Sequence, residues 1–273
     1  MKWTFSWKKL VLWLTGIGIV CALAGAGALV MLFHWASRDL PNIARLADYR
    51  PMRATTILAR DGSLLGTLSH EKRYVITLND MSRYLPLCFL AAEDDNFYNH
   101  PGVDLMAIAR AAIINARAGR NVQGGSTLTQ QIIKQLLLTS ERSYVRKMKE
   151  ALLAYKLEQN LSKDEILLVY LNQIYLGEHA YGVEAAARAY FGKHASDITL
   201  AESAVIAGLP KAPSKYNPFQ NPQAAKERQM YVLGRLRELK WISEAEYQQA
   251  VAEPLVYWSV PDSPTGAARW YFE

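Results

Sequence analysis

Three clusters of polar residues in this sequence have types and spacings that could do chemistry. The first is Glu93-Asp94-Asp95-Asn96-Phe97-Tyr98-Asn99-His100-Pro101-Gly102-Val103-Asp104, directly after the apolar segment Leu85–Ala92. That segment predicts a buried helix that delivers Glu93 at its emerging end. A carboxylate beside apolar walls is pushed towards a higher pKa, the condition a general base needs near neutral pH. The same residues also describe a solvated acidic turn, with His100 satisfied by a backbone carbonyl, because structural ion pairs occupy such positions too.

The second cluster is Gly124-Gly125-Ser126-Thr127-Leu128-Thr129-Gln130-Gln131-Ile132-Ile133-Lys134. The glycines free the backbone, Ser126 is a good N-cap, and a helix start offers unpaired N–H groups suited to phosphate. Lys134 lies one turn beyond Gln130 on the same face. Ordinary capping accounts for the serine but not for Gln130-Gln131 or for a lysine at that offset. The third cluster runs from Arg142 to Lys156. On a helix Arg142, Arg146, Lys149 and Glu150 fall within about a 100° arc, while Val145, Met148, Leu152 and Tyr155 take a separate apolar arc. Three cations around one carboxylate form either a salt-bridged solvent face, with Arg146 and Glu150 a plain i,i+4 pair, or a cradle for pyrophosphate. Spacing alone supports both.

The elements that must position these clusters follow from periodicity. Helical spacing covers Leu105–Ala118, Thr127–Leu138, Tyr144–Gln159, Lys163–Tyr175, Val183–Tyr190 and Leu200–Leu209, with a short capped helix around Trp241–Tyr247. Thr55–Arg60 and Ser63–Leu68 flank Asp61-Gly62, a strong hairpin signal, and Tyr74–Leu78 is a candidate third strand. Residues 85–240 therefore predict one mainly helical domain, large enough for its own core. Residues 36–84 form a connector that contains the hairpin, and residues 241–273 the start of a linker.

A different signal marks the N-terminus. Leu10–Trp35 is a run of 26 residues without Lys, Arg, Asp or Glu. As a helix it reaches about 39 Å, more than the roughly 30 Å hydrocarbon core, and tilt absorbs the excess. The apolar run continues through Leu29–Phe33, past the small residues that could mimic a cleavage site, so an uncleaved anchor at 10–35 is expected rather than a signal peptide. Lys2, Lys8 and Lys9 precede it and favour a cytoplasmic tail at 1–9, although Arg38, Arg45, Arg50 and Arg53 follow on the other side. The whole chain carries 31 Lys+Arg against 25 Asp+Glu, a net charge of +6. Three of those charges belong to the tail, so the rest carries too little to argue for a nucleic-acid binder. Hydrophobic residues make up 51% of the chain and charged residues 21%, which excludes a disordered chain. Two cysteines exclude a disulfide scaffold or a zinc ribbon.

In this order the three clusters resemble the motifs of glycosyltransferase family 51, the peptidoglycan glycosyltransferases. Ile166–Gly177, Tyr181–Ala186, Tyr190-Phe191-Gly192-Lys193, Leu200-Ala201-Glu202 and Ala207–Pro213 extend the resemblance, which covers roughly residues 85–235. Gln135 stands where the family more often has Asn, and Gly177-Glu178-His179 lacks a second glycine often seen there. The resemblance implies a lysozyme-like helical domain that polymerises lipid II into β-1,4 glycan strands with inversion and release of lipid pyrophosphate. It implies Glu93 as general base and Glu150 as a second carboxylate, either near the leaving group or orienting a base or cation. It further implies Lys134, Arg142, Arg146 and Lys149 as pyrophosphate ligands, with Ser126, Thr127, Gln131, Asp94 and His100 around the substrate. No cofactor is required by this chemistry; a divalent cation (Mg2+ or Mn2+) at the pyrophosphate is compatible with it, and no dedicated ligand set is visible. The expected partners are lipid II, the growing strand, the membrane and other cell-wall synthesis proteins. The expected site is the cytoplasmic (inner) membrane, with the catalytic domain periplasmic or extracellular.

The hairpin and the Ile242–Leu255 stretch are more similar to class A penicillin-binding proteins than to short monofunctional enzymes, so the chain reads as the N-terminal part of a bifunctional protein. Two other functions compete: a lysozyme-like enzyme that cleaves peptidoglycan with two carboxylates, and an inactive membrane-anchored scaffold.

Overall fold

Apolar runs at helical spacing, most of them opened by a capping side chain, set the architecture. The computed structural model describes residues 7–37, 55–58, 60–61, 64–68, 72–120, 124–136 and 143–258. Helix α1 spans Trp7–Ser37 and lies against the helix Tyr144–Glu158. Counted over the described residues, no helix is long and apolar enough to cross a membrane; several α1 side chains fall outside the description.

Strand β1 (Thr55–Leu58) pairs antiparallel with β2 (Leu64–Leu68), with an irregularity between Ile57 and Leu58. The expected strand Tyr74–Leu78 does not form. Instead β3 (Lys72–Arg73) runs parallel to β4 (Ala180–Tyr181), and Thr77 caps a 3-10 turn at Leu78–Asp80. The reason is a side chain that replaces a strand neighbour. Asn172 accepts from the Ile76 N–H and donates to the Ile76 carbonyl, both at 3.0 Å, so the segment pairs with an amide rather than a ladder.

The remaining elements are helices: α2 (Tyr84–Glu93), α3 (Leu105–Ala118), α4 (Leu128–Leu136), α5 (Tyr144–Glu158), α6 (Lys163–Gln173), α7 (Val183–Phe191), α8 (Leu200–Gly208), α9 (Pro222–Glu238) and α10 (Glu244–Ala252). The bounds of α3 to α8 follow the expected segments closely, whereas α10 starts at Glu244 and runs on past the expected Trp241–Tyr247. Ser162, Thr199 and Ser243 each open a helix with a capping box to the glutamate three residues on. Helix α8 is buried at all nine positions and forms the axis on which α2, α7, α9 and α10 pack. Its residues are mostly small, which lets those neighbours approach. A methyl group at Gly208 would lie 2.8 Å from Cγ of Arg228 on α9.

Two of the expected local roles change. Ser126 is not the cap of α4: Thr127 is, because its Oγ1 accepts from the Gln130 N–H while Gln130 Oε1 accepts from the Thr127 N–H. The faces of α5 also differ from the expected arcs. Glu150, Leu153, Ala154 and Leu157 make the buried stripe, at the i, i+3, i+4, i+7 spacing, whereas Val145, Met148 and Leu152 are half-buried and Tyr155 is exposed. The helix starts after Ser143, its N-cap, so Arg142 precedes it and lies outside the described residues.

The turn after α2 is fixed against α5 by backbone. Gly102 has φ +89°, and a methyl group there would lie 2.7 Å from both the carbonyl carbon and oxygen of Ala154. Gly102→Ala is therefore expected to lower stability by about 1–3 kcal/mol from the left-handed conformation alone, with the collision added. Thermal unfolding checks this, and a midpoint equal to that of the parent would show that the turn can move off α5.

Candidate active site

Helix α2 is apolar through Leu85, Cys88, Phe89, Leu90 and Ala91, all buried, and ends on Glu93. The burial of that helix places a carboxylate where a cleft of about 660 Å³ opens between α2, α3, the start of α4 and α9. Gln131 Nε2 donates to Glu93 Oε2 at 3.0 Å, and Arg228 Nη2 stands 3.5 Å from Oε1. Burial raises the pKa of Glu93 above the ordinary glutamate range and outweighs the Gln131 hydrogen bond and the positive charge of Arg228 and Lys211, all of which lower it. The group is thus a carboxylate poised to accept a proton.

Beside it, Asp94 does structural work. Its side chain is buried, and Oδ2 accepts the N–H of Leu128 at 2.9 Å. Both of its oxygens lie 3.1 Å from His100 Nε2. The Gly102 N–H donates to His100 Nδ1, so Nε2 is the nitrogen that carries the proton towards Asp94. Thr127 Oγ1 donates to the Gly102 carbonyl at 2.7 Å. Asp94 and His100, expected around the substrate, instead tie the turn after α2 to the first turn of α4. Asp94 still borders the cleft; His100 does not.

Glu93, Ser126, Thr127 and Gln131 come together in the cleft as expected. Lys134, Arg146 and Lys149 do not line it: Lys134 is exposed on the last turn of α4, and Arg146 and Lys149 are half-buried on α5. Glu150 sits on the core-facing side of α5 and is held by Lys147 Nζ at 2.8 Å and Arg146 Nη1 at 3.3 Å. Lys147 also donates to Ser126 Oγ at 2.7 Å, so it carries positive charge from Glu150 to the cleft rim.

The cations that do line the cleft beside Glu93 are Arg110, Lys211, Arg228 and Arg235. Arg228 is buried, its guanidinium 4.3 Å from the Tyr231 ring centroid, and its Nε donates to the Gly208 carbonyl. Arg235 bridges Asp95 and Glu238 at 2.6 Å each. Sequence reasoning passed over these residues and Lys147. Arg228 and Arg235 are seven apart on one helix face, a signal indistinguishable from a solvated face until the packing of α2 and α8 against it is known. Among the described residues no group of three or more His, Cys, Asp or Glu side chains comes together as a metal site.

The family model described as Transglycosylase matches residues 61–237. Penicillin-binding protein 1A of Aquifex aeolicus is 48% identical over 248 residues, covering 91% of this chain and 34% of the relative. Penicillin-binding protein 1A of Neisseria flavescens is 45% identical over 250 residues, covering 92% and 31%. A crystal structure of penicillin-binding protein 1A from Haemophilus influenzae is 29% identical over 78% of this chain and 22% of that one, with a TM-score of 0.45, too low to bear on the fold. The chain spans about a third of the length of the curated relatives it matches. With a family match across residues 61–237, most of the helical domain, the chain belongs to the transglycosylase family, the peptidoglycan glycosyltransferases of glycosyltransferase family 51.

Proposed function

We propose that this chain polymerises lipid II, joining the 4-hydroxyl of one molecule to the anomeric carbon of a growing strand. The observation that carries the proposal is a half-buried carboxylate with a raised pKa, Glu93, in a cleft lined by Arg110, Lys211, Arg228 and Arg235. Glu93 takes the proton of the attacking hydroxyl as the oxygen bonds to carbon 1 of the donor sugar. The bond from carbon 1 to the pyrophosphate oxygen breaks, and the α-linked donor becomes a β-1,4 product with inversion. Pyrophosphate leaves as an anion, so no acid has to protonate it; fixed cations aimed at the departing oxygens supply the stabilisation, commonly the largest catalytic term.

In this reading Lys147 presents charge at the rim and Glu150 fixes its ammonium, a positioning role. Lys134, Arg146 and Lys149 extend the positive surface along α4 and α5 towards the lipid pyrophosphate, rather than forming the wall of the Glu93 cleft, and Arg142, outside the described residues, keeps its proposed role as a pyrophosphate ligand. A divalent ion that arrives with the pyrophosphate is compatible with this surface, its ligands then drawn mainly from phosphate oxygens.

The anchor and the hairpin belong to the same proposal. The uncharged run Leu10–Trp35 holds the domain at the membrane that contains its lipid-linked substrate, with residues 1–9 cytoplasmic, residues 36–84 the connector, residues 85–240 the catalytic domain outside and residues 241–273 a linker onward. The relatives' names, each a penicillin-binding protein, support a bifunctional whole with a transpeptidase downstream and with cell-wall synthesis partners. A peptidoglycan-cleaving enzyme fits less well. Its sugar leaving group has to be protonated by an acid, and it has little use for the cations gathered beside Glu93.

Incubation of the chain in detergent with lipid II, or with finished peptidoglycan, separates these functions. Polymer from lipid II is expected; soluble muropeptides from finished wall would overturn the reading. Glu93→Gln should reduce polymerisation by at least about 10²-fold, as expected for loss of a general base. The same variant tests the environment of the base. A carboxyl whose pKa is raised by folding opposes folding wherever it is ionised, and stops doing so below the ordinary glutamate range, where both states are protonated. Glu93→Gln should therefore unfold at a higher temperature than the parent near neutral pH, and the gain should disappear on acidification. A variant no more stable than the parent at neutral pH would show that the folded state does not disfavour the charged carboxylate.

A further inference from the structure

Gln131 has an amide with two chemically different ends, and the base sees one of them. Nε2 donates to Glu93 Oε2 at 3.0 Å, while Oε1 accepts from the Tyr170 hydroxyl at 3.3 Å. Tyr170 lies on α6 and is 1% exposed. Its ring meets Phe89 of α2 edge-on, centroids 5.9 Å apart at 78°. Phe89 belongs to the helix that ends on Glu93, so the ring is locked by the same packing that positions the base. Its hydroxyl reaches the far end of the Gln131 amide.

We propose that Tyr170 is a positioning residue for Glu93: its hydroxyl holds the Gln131 amide in the one orientation that presents N–H groups to the base. The proposal rests on Glu93 as the base. While Glu93 is ionised, the carboxylate itself demands the N–H end of the amide. Once Glu93 has taken a proton, its new O–H can donate instead, and a turned amide would offer Oε1 to it. The Tyr170 hydroxyl occupies Oε1 and opposes that turn. It thereby favours the ionised carboxylate and lets the proton leave after each transfer. The other charged groups facing Glu93 are Arg228 on α9, Lys211 after α8 and the neighbouring Asp94. Arg235, paired with Asp95, also lines the cleft. None of them bonds the Tyr170 hydroxyl among the described residues.

Tyr170→Phe keeps the ring and removes the hydroxyl. Two readouts on the whole chain are needed, one of them free of substrate. In the first, the carboxyl of Glu93 is titrated by 13C NMR, with its resonance assigned by absence in Glu93→Gln. Tyr170→Phe is expected to move that titration to higher pH. In the second, the acid limb of the rate of lipid II polymerisation should move the same way. The rate on that limb should be roughly three- to tenfold lower, recovery should follow at higher pH, and KM should not change. In a Gln131→Met background the Tyr170→Phe shift should vanish, because no amide is left to orient.

A titration in Tyr170→Phe that superimposes on the parent overturns the proposal. So does a shift that persists without Gln131, since the hydroxyl would then act by another route. If the parent makes no polymer, the function proposed above fails, and the titration still decides the role of Tyr170. A melting temperature lowered with the titration unmoved would assign Tyr170 to packing alone.

Discussion

The desolvation of one carboxylate organises much of this molecule. Glu93 ends a helix whose other residues are mostly apolar and buried, so its charge has to be held away from bulk water. Burial of an ionised group is tolerated where directed donors and opposite charge compensate. Gln131 supplies the donor from α4, and Arg228 and Lys211 supply the charge from α9 and from the turn after α8. Compensation is incomplete, since the pKa stays raised. That remainder of unfavourable energy is what would suit Glu93 to the proposed role of base rather than leave it inert in an ion pair.

The polar residues around the base divide by reach. Asp94, His100, Thr127 and the Leu128 N–H satisfy one another and leave little for a ligand. Lys147, Ser126 and Glu150 form a second small network on the α5 side. The two networks meet along the Gly124–Thr127 segment, whose residues line the cleft. Under the proposed function, specificity for a charged lipid-linked sugar would come from the open surface between them, not from the buried residues themselves.

Much of this was legible in the sequence, for reasons that are local. The apolar run Leu85–Ala92 dictated that Glu93 emerge at a helix end, and helical spacing placed the starts of the helices at Lys163, Val183 and Leu200. What was not legible depends on residues far apart in the chain. The buried face of α5 was misjudged because Glu150 occupies a core-facing position only when Lys147 and Arg146 neutralise it. The cations beside Glu93 come from residues 110, 211, 228 and 235, and no local spacing brings them together. The strand expected at Tyr74–Leu78 failed because Asn172, nearly a hundred residues on, took its backbone partners. The departure at Gly177-Glu178-His179 has a backbone counterpart. Glu178 and His179 both hold positive φ, 48° and 56°. Glycine is at ease in that region and other residues are not.

The seating of Gly102 on Ala154 has a mechanical consequence. Main chain touches main chain there, with no side chain between to flex or change rotamer. The loop that follows the base and the helix that bears Lys147 and Glu150 are therefore coupled as stiffly as two rungs of one ladder. A hinge at this seam would have to separate two stretches of backbone that pack directly on one another. On the α9 side Arg235 reaches Asp95 through a long side chain at 2.6 Å, a link that can break without moving the backbone.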